Sequence, residues 1–185
     1  MKKTLRLLFI GNSHTYFNDM PKMVKGLFDE AGIPCEVVMI AHGGWFLRQH
    51  VKEPDVRFNI RFGNYDYVIL QEHAHPFGPA EDLYEAAKTL ADWIREAGSR
   101  AVIYETWAPK DDPGMQEQMT YAHHKTAEAN GALLAPVGEN WEKERALHPE
   151  TELFFEDGRH ASPAGSLFAA KHIFKVISGD LAKIE

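Results

Sequence analysis

Within the 185 residues, three side chains have the types and spacing for acyl transfer. Ser13 stands in RLLFIGNSHTYFND, residues 6–19, where an apolar run stops at Gly11 and hands over to polar residues. A serine hydroxyl is a poor nucleophile until a base takes its proton during attack. Histidine does this near neutral pH when a carboxylate fixes its tautomer and orientation. His160 has Asp157 three residues before it, with Gly158 and Arg159 between. A tight turn can set that carboxylate against the near ring nitrogen and leave the far one for Ser13. The negative oxygen formed on attack then needs donors, each worth ~3–4 kcal/mol when removed. The Ser13 amide, an amide at Gly43-Gly44 and the side-chain amide of Gln71 are candidates.

These residues are useful only if the fold gathers them. Thr4 to Ile10 is mainly apolar and predicts a buried strand, as do CEVVMIA, YDYVILQ, AVIYETW and a fifth run, ALLAPVG, shortened by Pro136. Between them come helical patterns. Pro21 suits a first helical position, and Met23, Val24, Leu27, Phe28 and Ala31 follow at helical spacing. Leu83 to Ile94 marks an amphipathic helix, and GMQEQMTYAHHKTAEANG another. Ser162-Pro163 caps a closing helix expected to end at Gly179.

Strands alternating with helices, several strands being apolar on both faces, predict an α/β fold: a three-layer α/β/α arrangement around a five-stranded parallel sheet. No repeat or linker divides the chain, so residues 1–185 read as one domain. Ligands of such sheets bind at the carboxyl ends of the strands. Ser13, Gly43-Gly44, Gln71 and Trp107 each follow a strand, and DGRHASPAG precedes the last helix, so separate segments converge on one rim.

Composition excludes other classes. A formal charge of −7 with no Lys/Arg cluster beyond Lys2-Lys3 argues against nucleic-acid partners. No run is long enough to span a bilayer, so no membrane partner is expected. Cys35 is the only cysteine, so no internal disulfide forms. The start MKKTLRLLFI is positive but leads into Gly11-Asn12-Ser13 without a cleavage site, and the chain reads as cytoplasmic.

FIGNSHT, HGG, the block after the third strand and DGRHASPAG resemble, in that order, the SGNH (GDSL-like) hydrolase superfamily of esterases and lipases. The resemblance runs from Gly11 to Gly165. It implies a flavodoxin-like sheet and a serine esterase with Ser13 as nucleophile, His160 as base, Asp157 as orienting acid and Gly44 as an oxyanion amide. No cofactor is implied, and the partner is a small-molecule acyl ester. Two departures stand out. The family's usual Asp before the nucleophile is Asn12, and LQEHAHP lacks the asparagine of the third block. A branch resembling sialate O-acetylesterases carries a glutamine there. Gln71 is therefore the expected third donor, with His75 the alternative by strict counting from Asp66. O-acetylated carbohydrate is the favoured substrate class.

Each motif also has a plain explanation. Asn-Ser after Gly is an ordinary turn or cap, and Asp157-Gly158 an ordinary turn dipeptide. Independent turns do not predict convergence on one edge, and that conjunction favours a hydrolase. The rivals are a non-catalytic module of the same fold that binds a sugar or acyl ligand, and a metal site at His14, His73 and His75. No cysteine or carboxylate pattern completes the latter, so no metal is expected. Tyr16, Trp45, Phe77 and Trp107 are candidates to wall the pocket, while His123 and His124 read as a solvated helix face.

Overall fold

In the order of the chain, the structure, a computed structural model describing residues 4–184, runs β1 (Leu5–Gly11), α1 (Ser13–Tyr16), a 3₁₀ turn (Phe17–Asp19), α2 (Met20–Glu30), β2 (Cys35–Ala41), α3 (Leu47–His50), α4 (Pro54–Phe62), β3 (Tyr67–Gln71), α5 (Ala80–Glu96), β4 (Arg100–Glu105), α6 (Met115–Asn130), β5 (Leu133–Pro136), α7 (Val137–Leu147) and α8 (Pro163–Ile184). The Lys2-Lys3 pair lies outside the described residues.

Successive side chains of a strand point to opposite faces, so a strand apolar at every position must be covered twice. Leu7 and Phe9 of β1, with Tyr67 and Ile69 of β3, enter a core closed by α2, α7 and α8. Leu8 and Ile10, with Val68 and Leu70, enter a second core closed by α3 to α6. The five strands lie in the order β2-β1-β3-β4-β5, all pairings parallel. This is the three-layer arrangement expected, with its order reversal at β1 and β3, where such sheets hold their ligands.

Three stretches depart from the expectations. The helices α3 and α4 were not foreseen, because Phe58 and Phe62 of α4 are both 64% exposed and hide the helical period. The fifth strand stops at Pro136, and Val137-Gly138 already begin α7. The closing helix passes through Gly179 to Ile184. Its last turns are docked by the nearly buried Asp180, which accepts a hydrogen bond from the Tyr67 hydroxyl at 2.8 Å and pairs with Arg100 at 2.6 Å. Among the described residues, no helix is long and apolar enough to cross a membrane.

Candidate active site

Ser13 begins α1 directly after β1, so its amide is one of the first-turn donors that no helical carbonyl satisfies. Asn12 caps this helix, its Oδ1 accepting from the His14 amide at 3.0 Å. The Asn12 Nδ2 donates to the Trp45 carbonyl at 2.8 Å, and the His42 amide donates to the Gly11 carbonyl at 3.1 Å. These bonds tie the serine's loop to the Gly43-Gly44 turn, where Gly44 takes the left-handed conformation (φ 72°) that favours glycine. Asn12 makes both contacts as a neutral amide.

The opposite wall is a short turn before α8. Asp157 Oδ1 accepts the amides of Arg159 and His160, both at 2.9 Å, and Oδ2 lies 2.5 Å from His160 Nδ1. A carboxylate only accepts, so Nδ1 carries the proton and Nε2 is left as an acceptor. Ser13 Oγ lies 2.8 Å from that Nε2. Partial burial alone would raise the Asp157 pKa. The hydrogen bonds from the His160 ring and from the two amides outweigh it and hold the carboxyl at about 2. Residues 147 positions apart in sequence therefore form one chain of hydrogen bonds, carboxylate to imidazole to hydroxyl.

The imidazole is clamped on both faces. Phe17 stacks on it with centroids 4.1 Å apart and planes 11° apart, and His14 lies 5.0 Å away on a 30° tilt. Burial, then the neighbouring rings of His75 and His160, push the His14 pKa well below that of a free histidine. His14 is thus neutral and does not repel an imidazolium forming on His160. Asn18 holds the two walls together, its Nδ2 donating to the Ala161 carbonyl at 3.0 Å and to Ser166 Oγ at 2.9 Å. It does so from the left-handed region (φ 55°), followed by Asp19 at 54°. Two such non-glycine residues cost on the order of 1–2 kcal/mol each, a local strain that the surrounding contacts hold in place. Nothing in the sequence pointed to Phe17 or Asn18, because their contacts are with residues about 145 positions away.

The third block differs from expectation. Gln71 is fully buried. Its Oε1 accepts from the Asn12 amide and from Thr15 Oγ1, each at 2.8 Å, and its Nε2 donates to the Glu72 carbonyl. The Asn12 N–H can only donate and the Glu72 carbonyl can only accept, which fixes the amide orientation. The residue expected as an oxyanion donor is thus buried and tethers the loop that carries Ser13. Gly11 follows from this, since a Cβ there would lie 2.4 Å from Thr15 Oγ1 and 2.5 Å from Gln71 Oε1. His75 does not replace it. Burial lowers its pKa to about 4, and its single N–H is used by Nε2, which lies 2.9 Å from the Trp107 carbonyl. The backbone amides of Ser13 and Gly44 are the remaining expected donors.

The other candidates sort by burial. Trp107 is core, stacked on Trp141 at 3.8 Å, and Phe77 turns toward His123. His123 is itself buried, not solvated. Tyr16 and Trp45 stay half-buried at the rim, joined by Phe17 and the exposed Phe155. His73 Nδ1 lies 3.0 Å from the Pro76 carbonyl. Among the described residues, His14, His73 and His75 do not form a group with ligand atoms within 4.8 Å of one another.

Glu72, beside Gln71, is nearly buried, and Oε1 accepts the amides of His73 at 2.6 Å and Leu47 at 3.4 Å. Burial raises its pKa to about 7, against the opposing pull of those amides and Arg48. Between the unfolded value near 4.5 and about 7, the folded protein holds a proton that the unfolded chain has lost. Stability must then fall as pH rises through that window, by up to about 3 kcal/mol. Melting curves from pH 4.5 to 8 are expected to show this decline flattened in Glu72→Gln. An equal decline in both proteins would place its origin elsewhere.

No family model matches the chain, and no curated protein matches it. Solved structures do. A candidate SGNH hydrolase from Slackia heliotrinireducens superposes with a TM-score of 0.83 at 29% identity, covering 95% of this chain and all of that one. A carbohydrate esterase family 3 protein from Talaromyces cellulolyticus superposes at 0.78 with 13% identity, covering 98% of this chain and 100% of its own. The acetyl xylan esterase AlAXEase superposes at 0.76 with 15% identity, covering 94% of this chain and 100% of its own. At those two identities the likeness is one of fold.

Proposed function

The chain belongs to the SGNH hydrolase superfamily, and from that premise we propose that it is a serine esterase acting on small O-acyl esters, O-acetylated carbohydrate first among them. The observation that carries this reading is the run of two hydrogen bonds, 2.5 Å from Asp157 to His160 and 2.8 Å from His160 to Ser13. Ser13 Oγ attacks the ester carbonyl while His160 Nε2 takes its proton and Asp157 stabilises the imidazolium. The amides of Ser13 and Gly44 receive the tetrahedral oxygen. His160 then gives its proton to the departing alcohol, leaving an acyl-Ser13. Water, deprotonated by His160, repeats the attack and releases the acid.

The half-exposed rim favours a small acyl group and a ring-shaped alcohol. Phe17, Phe155, Tyr16 and Trp45 offer aromatic surface to a sugar. Likeness of fold to a carbohydrate esterase and an acetyl xylan esterase points the same way.

Incubation with a fluorophosphonate probe and mass mapping of the adduct tests the assignment. Labelling at Ser13 alone, lost in His160→Ala, is the expected result. A folded sample that takes no label but binds acetylated sugar would make the protein a non-catalytic module. Rates on acetyl, butyryl and octanoyl esters should fall with chain length, and a preference for octanoyl would overturn the substrate class.

A further inference from the structure

At the carboxyl end of β4, three elements bring metal-ligating groups together. Glu105 ends β4, His124 lies on α6 and Glu139 on α7. One ligand atom from each lies within 4.8 Å of the others. We propose that these three residues bind a first-row divalent cation, zinc in the first place, that braces α6 and α7 against the end of β4.

The argument rests first on Glu105. Its residue is fully buried, and Oε1 accepts from Gln116 Nε2 at 2.9 Å and Thr120 Oγ1 at 2.5 Å. Oε2 has no hydrogen-bond partner among the described residues. A buried carboxylate oxygen left unpaired is costly, and a cation supplies the missing partner. Gln116 is itself fixed, its Oε1 accepting the Ala108 amide at 2.7 Å. Outer contacts of this kind hold a ligating carboxylate in one orientation.

The second observation is the outer pair. His124 Nε2 and Glu139 Oε2 are 3.1 Å apart. Bonds of about 2.0–2.2 Å to a tetrahedral zinc place neighbouring ligands ~3.4 Å apart, so the pair needs little adjustment. Their side chains are 52% and 32% exposed, which leaves a way in for a hydrated ion. One imidazole with two carboxylates suits zinc and its first-row neighbours. Calcium and magnesium prefer all-oxygen sets. Two carboxylates also match the charge of the ion.

The role is structural. Glu105 is two residues before Trp107, which stacks on Trp141 of α7 and packs 5.3 Å from His14, the neighbour of Ser13. An ion here ties α6 and α7 to the end of β4.

Protein stripped with a chelator and dialysed should then be titrated with zinc chloride, reading bound zinc per chain and the melting temperature. One zinc per chain is expected, with a rise of about 5–10 °C at ~100-fold excess over Kd. His124→Ala and Glu139→Ala, both at the surface and so compatible with folding, should weaken binding at least ~100-fold and abolish the rise. His148→Ala, an exposed histidine beside Glu150, should change neither. Cobalt(II) should give d–d absorption bands that disappear in His124→Ala. Absence of stoichiometric zinc, or uptake and a melting shift that persist in both His124→Ala and Glu139→Ala, would overturn the proposal.

Discussion

Replacing Ser13 by alanine is expected to lower kcat on a simple acetyl ester by about 10⁴–10⁶-fold, with His160→Ala close to the same. The two groups act as one unit across the 2.8 Å hydrogen bond, so the double variant should be scarcely worse than either single one. Asp157→Asn should cost about 10⁴-fold, because an amide in place of Oδ2 no longer holds the proton on Nδ1. Folding should be little affected by Ser13→Ala, since the hydroxyl is half-exposed and supports no core contact. Initial rates with purified variants check all three. A Ser13→Ala enzyme that keeps a tenth of the turnover would remove the nucleophile assignment. The same geometry sets the acid limit. With the Asp157 carboxyl held at about 2 in the fold, below its unfolded value near 3.9, the stability it contributes is present above that value and is lost as pH falls through about 2. Loss of activity between pH 5 and 7 therefore does not come from Asp157.

Gln71→Leu is expected to destabilise the protein by about 3–5 kcal/mol, because it strands the buried Asn12 amide, the Thr15 hydroxyl and the Glu72 carbonyl together. For a chain of this length that is a drop in Tm of about 10 °C or more. Turnover in the folded fraction should fall as well, by about 10²-fold, since the loop that aims Ser13 loses its anchor. An oxyanion donor would behave otherwise, costing about 10²–10³ in kcat with Tm unchanged. Thermal melts alongside kinetics at a temperature where the variant is folded separate the two. Gly11→Ala strikes the same knot from the other side, its new Cβ meeting Thr15 Oγ1 and Gln71 Oε1, and should cost about 1–3 kcal/mol.

Gln71 shows why some of the site was readable in advance and some was not. Its position, first out of a fully apolar strand, was legible, since a buried run ending in a polar residue marks a strand end at the rim. The direction of its amide was not. It depends on an unpaired N–H at Asn12 and a hydroxyl at Thr15, both about 57 residues away and brought alongside only when β3 pairs with β1. The helices α3 and α4 were missed for a related reason. Their apolar residues are shared between the core and solvent, and only packing decides that Val56 and Ile60 go in while Phe58 and Phe62 stay out.

The amino-acid order by itself determined the alternation of strands and helices, the rim on which the candidate site sits, and the Asp157-x-x-His160 turn. Each of these depends on interactions between near neighbours: side-chain periodicity, capping, and a carboxylate reaching amides two and three residues on. The tertiary structure decided the rest. It set the 2.8 Å approach of His160 to Ser13, clamped the imidazole between Phe17 and His14, turned Gln71 inward, and gathered Glu105, His124 and Glu139. Those contacts join segments tens of residues apart, and their geometry follows from how two helical layers fill the space on either face of one sheet.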